Sequence, residues 1–234
     1  MAHPLPASLY EIQNVTKDGK KMTRLMLVDD HPLVRRGLSE LISDEPHLEV
    51  CSQMASAEDA LQEIDKINPD LVIVDVTLPG MNGVELIKRL RSRYPKMLIL
   101  VSSMHDEALF AERCLRAGAN GYVNKEEATD KVVDAINRVI DGHLYLSADM
   151  TSRLLHGVIA GEVGQQSTLE TLSDRELEVF ALIGRGLATR EIAQKLHLSI
   201  KTIETHRDHV RAKLKIGSTT ELMRHAVQWV LENG

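Results

Sequence analysis

The sequence predicts an α/β unit built on a doubly wound, five-stranded parallel sheet, followed by a small all-α unit of four helices. Three observations carry this. Five short apolar runs alternate with segments of helical length over the first 140 residues. A stretch rich in Gly and Gln follows. Beyond it lie four short helical segments with capping signals and no strand pattern.

The apolar runs are RLMLVD (24–29), LEVCSQM (48–54), LVIVD (71–75), MLILVSS (97–103) and GYVN (121–124). Runs rich in Val, Ile and Leu without alternation suit parallel strands buried on both faces. Between and after them, 32–43, 57–67, 84–93, 107–117 and 126–140 space their apolar residues by three and four, the mark of an amphipathic helix. Strand–helix units in this order give a doubly wound parallel sheet. Within the connection after the third strand, Pro79-Gly80 and Asn82-Gly83 read as turns.

Residues 141–168 interrupt the alternation. HGVIAGEVGQQST (156–168) reads as a linker, with a short helix expected over 148–159. The expected boundaries are 22–141 for the α/β unit, 142–168 for the linker and 169–234 for the helical unit. In the last, Ser173 can cap a helix and Glu176 stands at capping-box spacing. That helix runs to about Gly184 and Gly186 ends it. Thr189 can cap a second helix to Leu196, and Ser199 a third from Ile200 to Leu214. Ser218 opens a fourth, to about Leu231. The second and third, joined by the tight His197-Leu198-Ser199 turn, have helix-turn-helix spacing.

The chain is 43% hydrophobic and 26% charged, a soluble globular mixture with a net charge of −6. The charge is uneven. Residues 165–234 hold ten Lys and Arg against nine Asp and Glu, so the acidity belongs to the preceding part. This asymmetry points to two units with different partners. Cys51 and Cys114 are far apart and form no CxxC pair, as expected in a reducing cytoplasm. The opening residues have no basic n-region and no apolar core, so a secretory signal is not expected. No apolar run approaches the roughly 20 residues that span a bilayer. Residues 1–21 read as a loose extension, with Met22 a possible alternative start.

The first strand ends in Asp29-Asp30 and the third in Asp75, and in a doubly wound sheet these ends are neighbours. Three converging carboxylates repel one another, and hard oxygen donors suit Mg²⁺. The fourth strand ends in Ser102-Ser103 and the fifth in Lys125. This inventory fits phosphoryl transfer to a carboxylate: Asp75 as nucleophile, with the metal and Lys125 neutralising the transferred charge. Taken singly, each residue has an ordinary role, an Asp as helix cap or turn former and a Lys as a solvated surface group. The combination at one sheet edge gives the reading its specificity.

VDDHP (28–32), LVIVDVTLPGMNG (71–83), VSSMHD (101–106) and RAGANGYVNK (116–125) closely resemble the receiver domain of bacterial two-component response regulators. The similarity spans about 23–140 and implies the CheY-like, flavodoxin-like fold. It implies that Asp75 is the phosphoacceptor, that Asp29, Asp30 and Asp75 hold Mg²⁺ with the backbone carbonyl of Thr77, and that Ser103 is the switch hydroxyl. Ser102 competes for that last role. By the same match Lys125 contacts the phosphoryl group and Tyr122 is the switch aromatic. Two positions depart from the family pattern: Glu126 stands where many members have Pro, and Asn124 where an apolar residue is common. Haloacid dehalogenase-like phosphatases also use a strand-end Asp nucleophile, but with a second acid two residues later as proton donor. Thr77 occupies that place, which argues against an enzyme of that class.

The segment 195–215 holds six Lys and Arg against two acids. Attraction to phosphates supplies much of the affinity for DNA, so the duplex is expected here. Ile203, Val210 and Leu214 make an apolar stripe, leaving Lys201, Glu204, Thr205, Asp208 and Arg211 outward, as in a recognition helix. His206 and His209 lie one turn apart, but without Cys or further ligands they suggest no metal site. Residues 172–215 closely resemble the LuxR-type helix-turn-helix. Joined to a receiver, this is the arrangement of the NarL/FixJ class of transcriptional response regulators. The match implies that Lys201, Thr202, His206 and Arg207 meet phosphates, while Glu204, Thr205 and Asp208 face bases. The acids could accept from cytosine amino groups or repel wrong sites. It also implies that the last helix dimerises.

The expectation is a cytoplasmic regulator, not an enzyme, that takes a phosphoryl group on Asp75 from a sensor histidine kinase with Mg²⁺. It then binds double-stranded DNA, as a homodimer when phosphorylated. The alternative is a constitutive DNA-binding regulator whose receiver no longer signals.

Overall fold

The computed structural model describes residues 22–104, 107–125, 129–159 and 168–233. Five parallel strands form one sheet in the order β2-β1-β3-β4-β5: β1 (Thr23–Val28), β2 (Leu48–Met54), β3 (Leu71–Val74), β4 (Leu98–Ser103) and β5 (Gly121–Asn124). The helices between and after them are α1 (Pro32–Ser43), α2 (Ala57–Ile67), α3 (Gly83–Arg93), α4 (Glu107–Ala117) and α5 (Thr129–Ile140). The expected start of α5 at Glu126 lies outside the described residues.

The strands alternate their side chains between two buried layers, as the pleat demands. Leu25, Leu27, Leu71, Ile73, Leu100 and Val123 pack with Ile42 of α1 and Val132, Ile136 and Val139 of α5. Met26, Val28, Val72, Val74, Ile99 and Val101 face the other way, with Ile64 of α2, Leu90 of α3 and Phe110 of α4. Burial on both faces explains why the strands read as unbroken apolar runs.

Asn82-Gly83 corrects an expectation. It is the start of α3 rather than a free-standing turn, because the Asn82 side chain caps the helix by accepting from the Glu85 amide at 2.8 Å. Gly83 is required by close approach: a Cβ there would lie 2.0 Å from the Asp75 carbonyl oxygen. The loop that carries Asp75 is thus pressed against the first turn of α3.

After α5 the chain turns back along β5. The Tyr122 amide donates to the Tyr145 carbonyl at 2.8 Å, and the Tyr145 amide to the Asn120 carbonyl at 3.2 Å. The expected helix within the linker forms α6 (Ala148–Ile159) and packs against α4. A 3₁₀ turn over Thr168–Thr171 leads into four helices: α7 (Asp174–Gly184), α8 (Thr189–Lys195), α9 (Ile200–Leu214) and α10 (Thr219–Asn233). Ser173 and Glu176 make the expected capping box. Gly186 ends this helix as expected, with a positive φ of +84°.

The expected cap at Thr189 is not made. Ala188 precedes α8 without a side-chain bond, and the Glu191 carboxylate accepts from its amide at 2.7 Å instead. Ile203 and Val210 of α9 are fully buried with Ile192 of α8, Phe180 of α7 and Leu222 of α10. Leu214 is half-buried beside them. The apolar stripe read from the sequence is therefore the inner face of α9.

Candidate functional site

Strand register brings the acids together. Val28 pairs with Val74, so Asp29 and Asp75, one residue further on, emerge side by side at the carboxyl edge of the sheet. Val74 also pairs with Val101, and Ser103 with Asn124, which places the ends of β4 and β5 at the same edge. All five sites expected at strand ends thus converge: Asp29, Asp30, Asp75, Ser103 and Lys125.

Asp29 and Asp75 are buried, and the Lys125 ammonium, 6% exposed, bridges them at 2.6 Å to Asp29 Oδ2 and 2.6 Å to Asp75 Oδ2. Burial pushes the Asp75 carboxyl above the usual carboxylate range. Lys125 opposes that shift and Asp29 adds to it. Burial works against the Lys125 charge, but Asp75 and Asp29 outweigh it and hold the ammonium above the ordinary lysine value. Thr77 is buried in the following loop, its amide donating to Asp75 Oδ1 at 3.2 Å.

A single lysine thus faces three carboxyl groups in the pocket. Asp29, Asp30, His31 and Asp75 each present a ligand atom, all within 4.8 Å of one another. His31 Nδ1 lies 2.7 Å from Asp30 Oδ1 and 3.3 Å from Asp29 Oδ1. The first contact is off the hydrogen-bond direction, so Asp30 Oδ1 is buried without a hydrogen-bond partner. A buried, unpartnered carboxylate oxygen beside two further acids fits a hard divalent cation such as Mg²⁺.

Ser103 and Tyr122 are buried on the same face of the sheet and are joined by a side-chain hydrogen bond. Strand alternation turns Ser102 to the opposite face, with Leu100, where its buried hydroxyl has no partner among the described residues. Of the two serines, Ser103 is the one coupled to Tyr122.

The helical domain docks on this same edge. His197, in the turn between α8 and α9 with a positive φ of +52°, places Nε2 3.1 Å from Asp30 Oδ2. Arg175 of α7 donates to the carbonyls of Leu78 and Gly80 in the loop after Asp75, at 3.2 and 2.9 Å. Arg185 donates to the Met104 carbonyl at 3.4 Å. Asp174 pairs with Lys88 of α3 and Arg113 of α4 at 2.8 and 3.2 Å.

Sequence reading missed these contacts, and it missed His31, although His31 directly follows two of the acids. No local pattern announces that His197 meets Asp30, 167 residues away.

On α9, Lys201, Glu204, Thr205 and Asp208 are exposed as expected. The others are partly employed inside the domain. Thr202 shares the helix cap with Ser199, its hydroxyl 2.7 Å from the Ser199 hydroxyl. Arg207 donates to the Thr189 hydroxyl at 2.8 Å and so ties α9 to α8. Arg211 holds Asp208 and the Gly217 carbonyl. His206 is half-buried, and burial, then the nearby Arg175, keep its imidazole below the ordinary histidine value. It packs toward α7 rather than outward.

Comparison with known proteins gives two family matches. Residues 25–137 match the response regulator receiver domain, and residues 170–226 match the bacterial regulatory proteins of the luxR family. The transcriptional activator protein ExaE of Pseudomonas putida is 36% identical over 87% of this chain and 95% of its own. The transcriptional regulatory protein DegU of Brevibacillus brevis is 30% identical over 88% and 94%. RcsB of Salmonella enterica, solved bound to promoter DNA with the phosphomimetic BeF₃⁻, is 25% identical over 88% of this chain and 99% of that one, with a TM-score of 0.59.

Proposed function

Since the chain belongs to the response regulators in which a receiver domain precedes a LuxR-family DNA-binding domain, and is a transcriptional regulator, we propose that phosphorylation of Asp75 controls its DNA binding by unseating the helical domain. The observation that carries this is the His197–Asp30 contact: the DNA-binding domain holds one of the three acids of the acceptor pocket. We assign 22–141 to the receiver, 142–168 to the linker and 169–234 to the DNA-binding domain.

The donor is the phosphohistidine of a sensor kinase. An Asp75 carboxylate oxygen attacks phosphorus, the P–O bond forms, the P–N bond breaks, and its electron pair stays on the departing imidazole. Asp29, Asp30, Asp75 and the Thr77 carbonyl would hold Mg²⁺, which supplies charge neutralisation for the entering group. Lys125 moves its charge from the two carboxylates to the phosphoryl oxygens.

The signal has two routes out. In one, the loop carbonyls held by Arg175 shift with the new group on Asp75, and the His197 contact to Asp30 at the same edge is given up with them. In the other, Ser103 turns to the phosphoryl group and releases Tyr122. The Tyr122 backbone is bonded to Tyr145 at the head of the linker, and the Ser147 amide to the Glu107 carboxylate of α4 at 2.9 Å. Both routes bias a two-state docking equilibrium.

Once undocked, the exposed Lys201 and the half-buried Arg207 meet phosphates while Glu204, Thr205 and Asp208 face bases in the major groove. On α10, Met223 and Leu231 are exposed and Trp229 and Val230 half-buried, which supports a homodimer through this helix on paired half-sites. No helix among the described residues is long and apolar enough to cross a membrane, and we place the protein in the cytoplasm.

The test is direct. A small phosphodonor with Mg²⁺ labels the protein, and Asp75→Ala abolishes the label. Label that persists in the variant refutes the acceptor assignment. Label on Asp75 that leaves DNA affinity unchanged favours the constitutive alternative.

A further inference from the structure

A second charged site lies away from the acceptor pocket. A cavity of about 560 Å³ occupies the crease between α3 and α4, beneath the start of α7. Its charged and polar lining is Lys88, Arg91, Ser92, Arg113, Arg116 and Asp174, four cations against a single acid.

Two of the cations are fixed. Arg91 donates to the Gly118 carbonyl at 3.0 and 2.6 Å and to Asn120 Oδ1 at 3.0 Å, and partial burial lowers its pKa. Arg113 donates to the Leu172 and Leu169 carbonyls at 2.8 and 2.7 Å. The other two, Lys88 and Arg116, are 50% and 61% exposed and reach one carboxylate each: Asp174 at 2.8 Å and Glu112 at 2.6 Å.

The cavity therefore already holds an anion, the Asp174 side chain, delivered by the DNA-binding domain. That carboxylate brings one negative charge to four positive ones. A diphosphate brings more charge and more acceptor oxygens than this single carboxylate, so it can engage several of the four cations at once. The volume is of ligand-pocket size and exceeds what a diphosphate alone needs. We propose that this cavity is a site for a diphosphate group, inorganic or carried by a nucleotide, bound by Lys88, Arg113, Arg116 and the Ser92 hydroxyl in place of Asp174. Because ligand and Asp174 compete for the same cations, binding and domain docking oppose each other, and by linkage each weakens the other equally. Such a ligand would loosen the DNA-binding domain without touching Asp75.

Calorimetric titration of the full chain at constant ionic strength and without Mg²⁺ tests this, using inorganic pyrophosphate in one arm and ADP in the other. Saturable binding of one pyrophosphate per chain is expected. Equal affinity for ADP means that the site reads the diphosphate alone, and tighter ADP binding places the nucleoside in the remaining volume. The paired change Lys88→Gln with Arg116→Gln should weaken binding about tenfold or more, the loss expected for charged hydrogen bonds. Asp174→Asn removes the internal competitor and should tighten binding. Glu85→Gln, an equal charge change on α3 outside the cavity, should not. Three results each overturn the proposal: no saturable binding, binding indifferent to Lys88 and Arg116, or equal tightening by Glu85→Gln. Phosphodonor labelling of Asp75 should remain intact in every variant, which separates this site from the acceptor pocket.

Discussion

The acceptor pocket and the outer face of α9 obtain specificity in opposite ways. The pocket gathers one or two residues from each of four strand ends, buries most of them, and fixes them by register: Val28 with Val74, Ser103 with Asn124. The α9 face draws all its residues from a single helix, half of them exposed, and the helical period alone sets their direction. In the pocket, moving one element misplaces the chemistry. On the helix, side chains can be re-employed without disturbing the fold, and several are: Thr202 in the cap, Arg207 on Thr189, Arg211 on Gly217. Convergent burial makes a site demanding and therefore recognisable, whereas an exposed face is tolerant and its contacts are harder to assign.

The sharpest way to break this contrast is a change that touches no reacting group. Gly83→Ala drives a methyl group into the Asp75 carbonyl and should cost about 3 kcal/mol through overpacking at the pocket. Thermal unfolding should show the loss, and phosphodonor labelling should fall with it although all three acids remain. An unchanged melting temperature would mean that the loop after Asp75 adjusts freely and that the pocket is less rigid than described.

On α9 the same contrast predicts smaller and divergent effects. Arg207→Ala should weaken binding to all DNA sequences and lower the salt slope by about one if the guanidinium also reaches a phosphate. It should also lower stability modestly, because the bond to Thr189 is lost. A stability loss with an unchanged salt slope would assign Arg207 wholly to the α8–α9 joint. Glu204→Ala, at an exposed position, should change stability by no more than about 0.5 kcal/mol while altering which sequences are selected from a random pool. Identical selected sites would remove Glu204 from base reading.

The smallest expected effect concerns acid. Burial opposes the Glu176 charge, but Lys213 at 2.6 Å and the Ser173 hydroxyl and amide outweigh it, so the carboxyl titrates below the ordinary glutamate value. A lowered carboxylate pKa stabilises the fold fully above the unfolded value, about 4.3, and that contribution is lost as pH falls through the lowered one. The helical domain should lose melting temperature over that acidic window, and Glu176→Gln should flatten the dependence. A slope unaffected by the variant would place the acid sensitivity elsewhere.

The strands, the helices and the convergent acids were legible in the sequence because each follows from a period or a strand end. Asn82 was misread because the same Asn-Gly pair serves a turn or a helix cap, and only the position of α3 decides between them. Thr189 was misread because the helix begins at Thr189 itself, with Ala188 in the cap position and the Thr189 hydroxyl taken by Arg207. Ser103 was preferred to Ser102 from the sequence, and the strand faces supply the physical reason, since only Ser103 shares the Tyr122 side of the sheet. His197 and Arg175 carried no local signal, since their meaning depends on how two separately folded units meet. Arg207 and His206 were assigned to phosphates by the family match, yet Arg207 donates to the Thr189 hydroxyl and His206 lies half-buried toward α7.

The central claim is that filling the acceptor pocket and seating the DNA-binding domain exclude each other. Its most direct test is the distance between a dye on α5 and a dye on α10 in the full chain, measured as Mg²⁺ and beryllofluoride are added and alongside DNA affinity. The account predicts that the distance departs from the closed value in step with the gain in affinity, and that His197→Ala shifts it part of the way before any addition. A full gain in DNA affinity at an unchanged distance would contradict it.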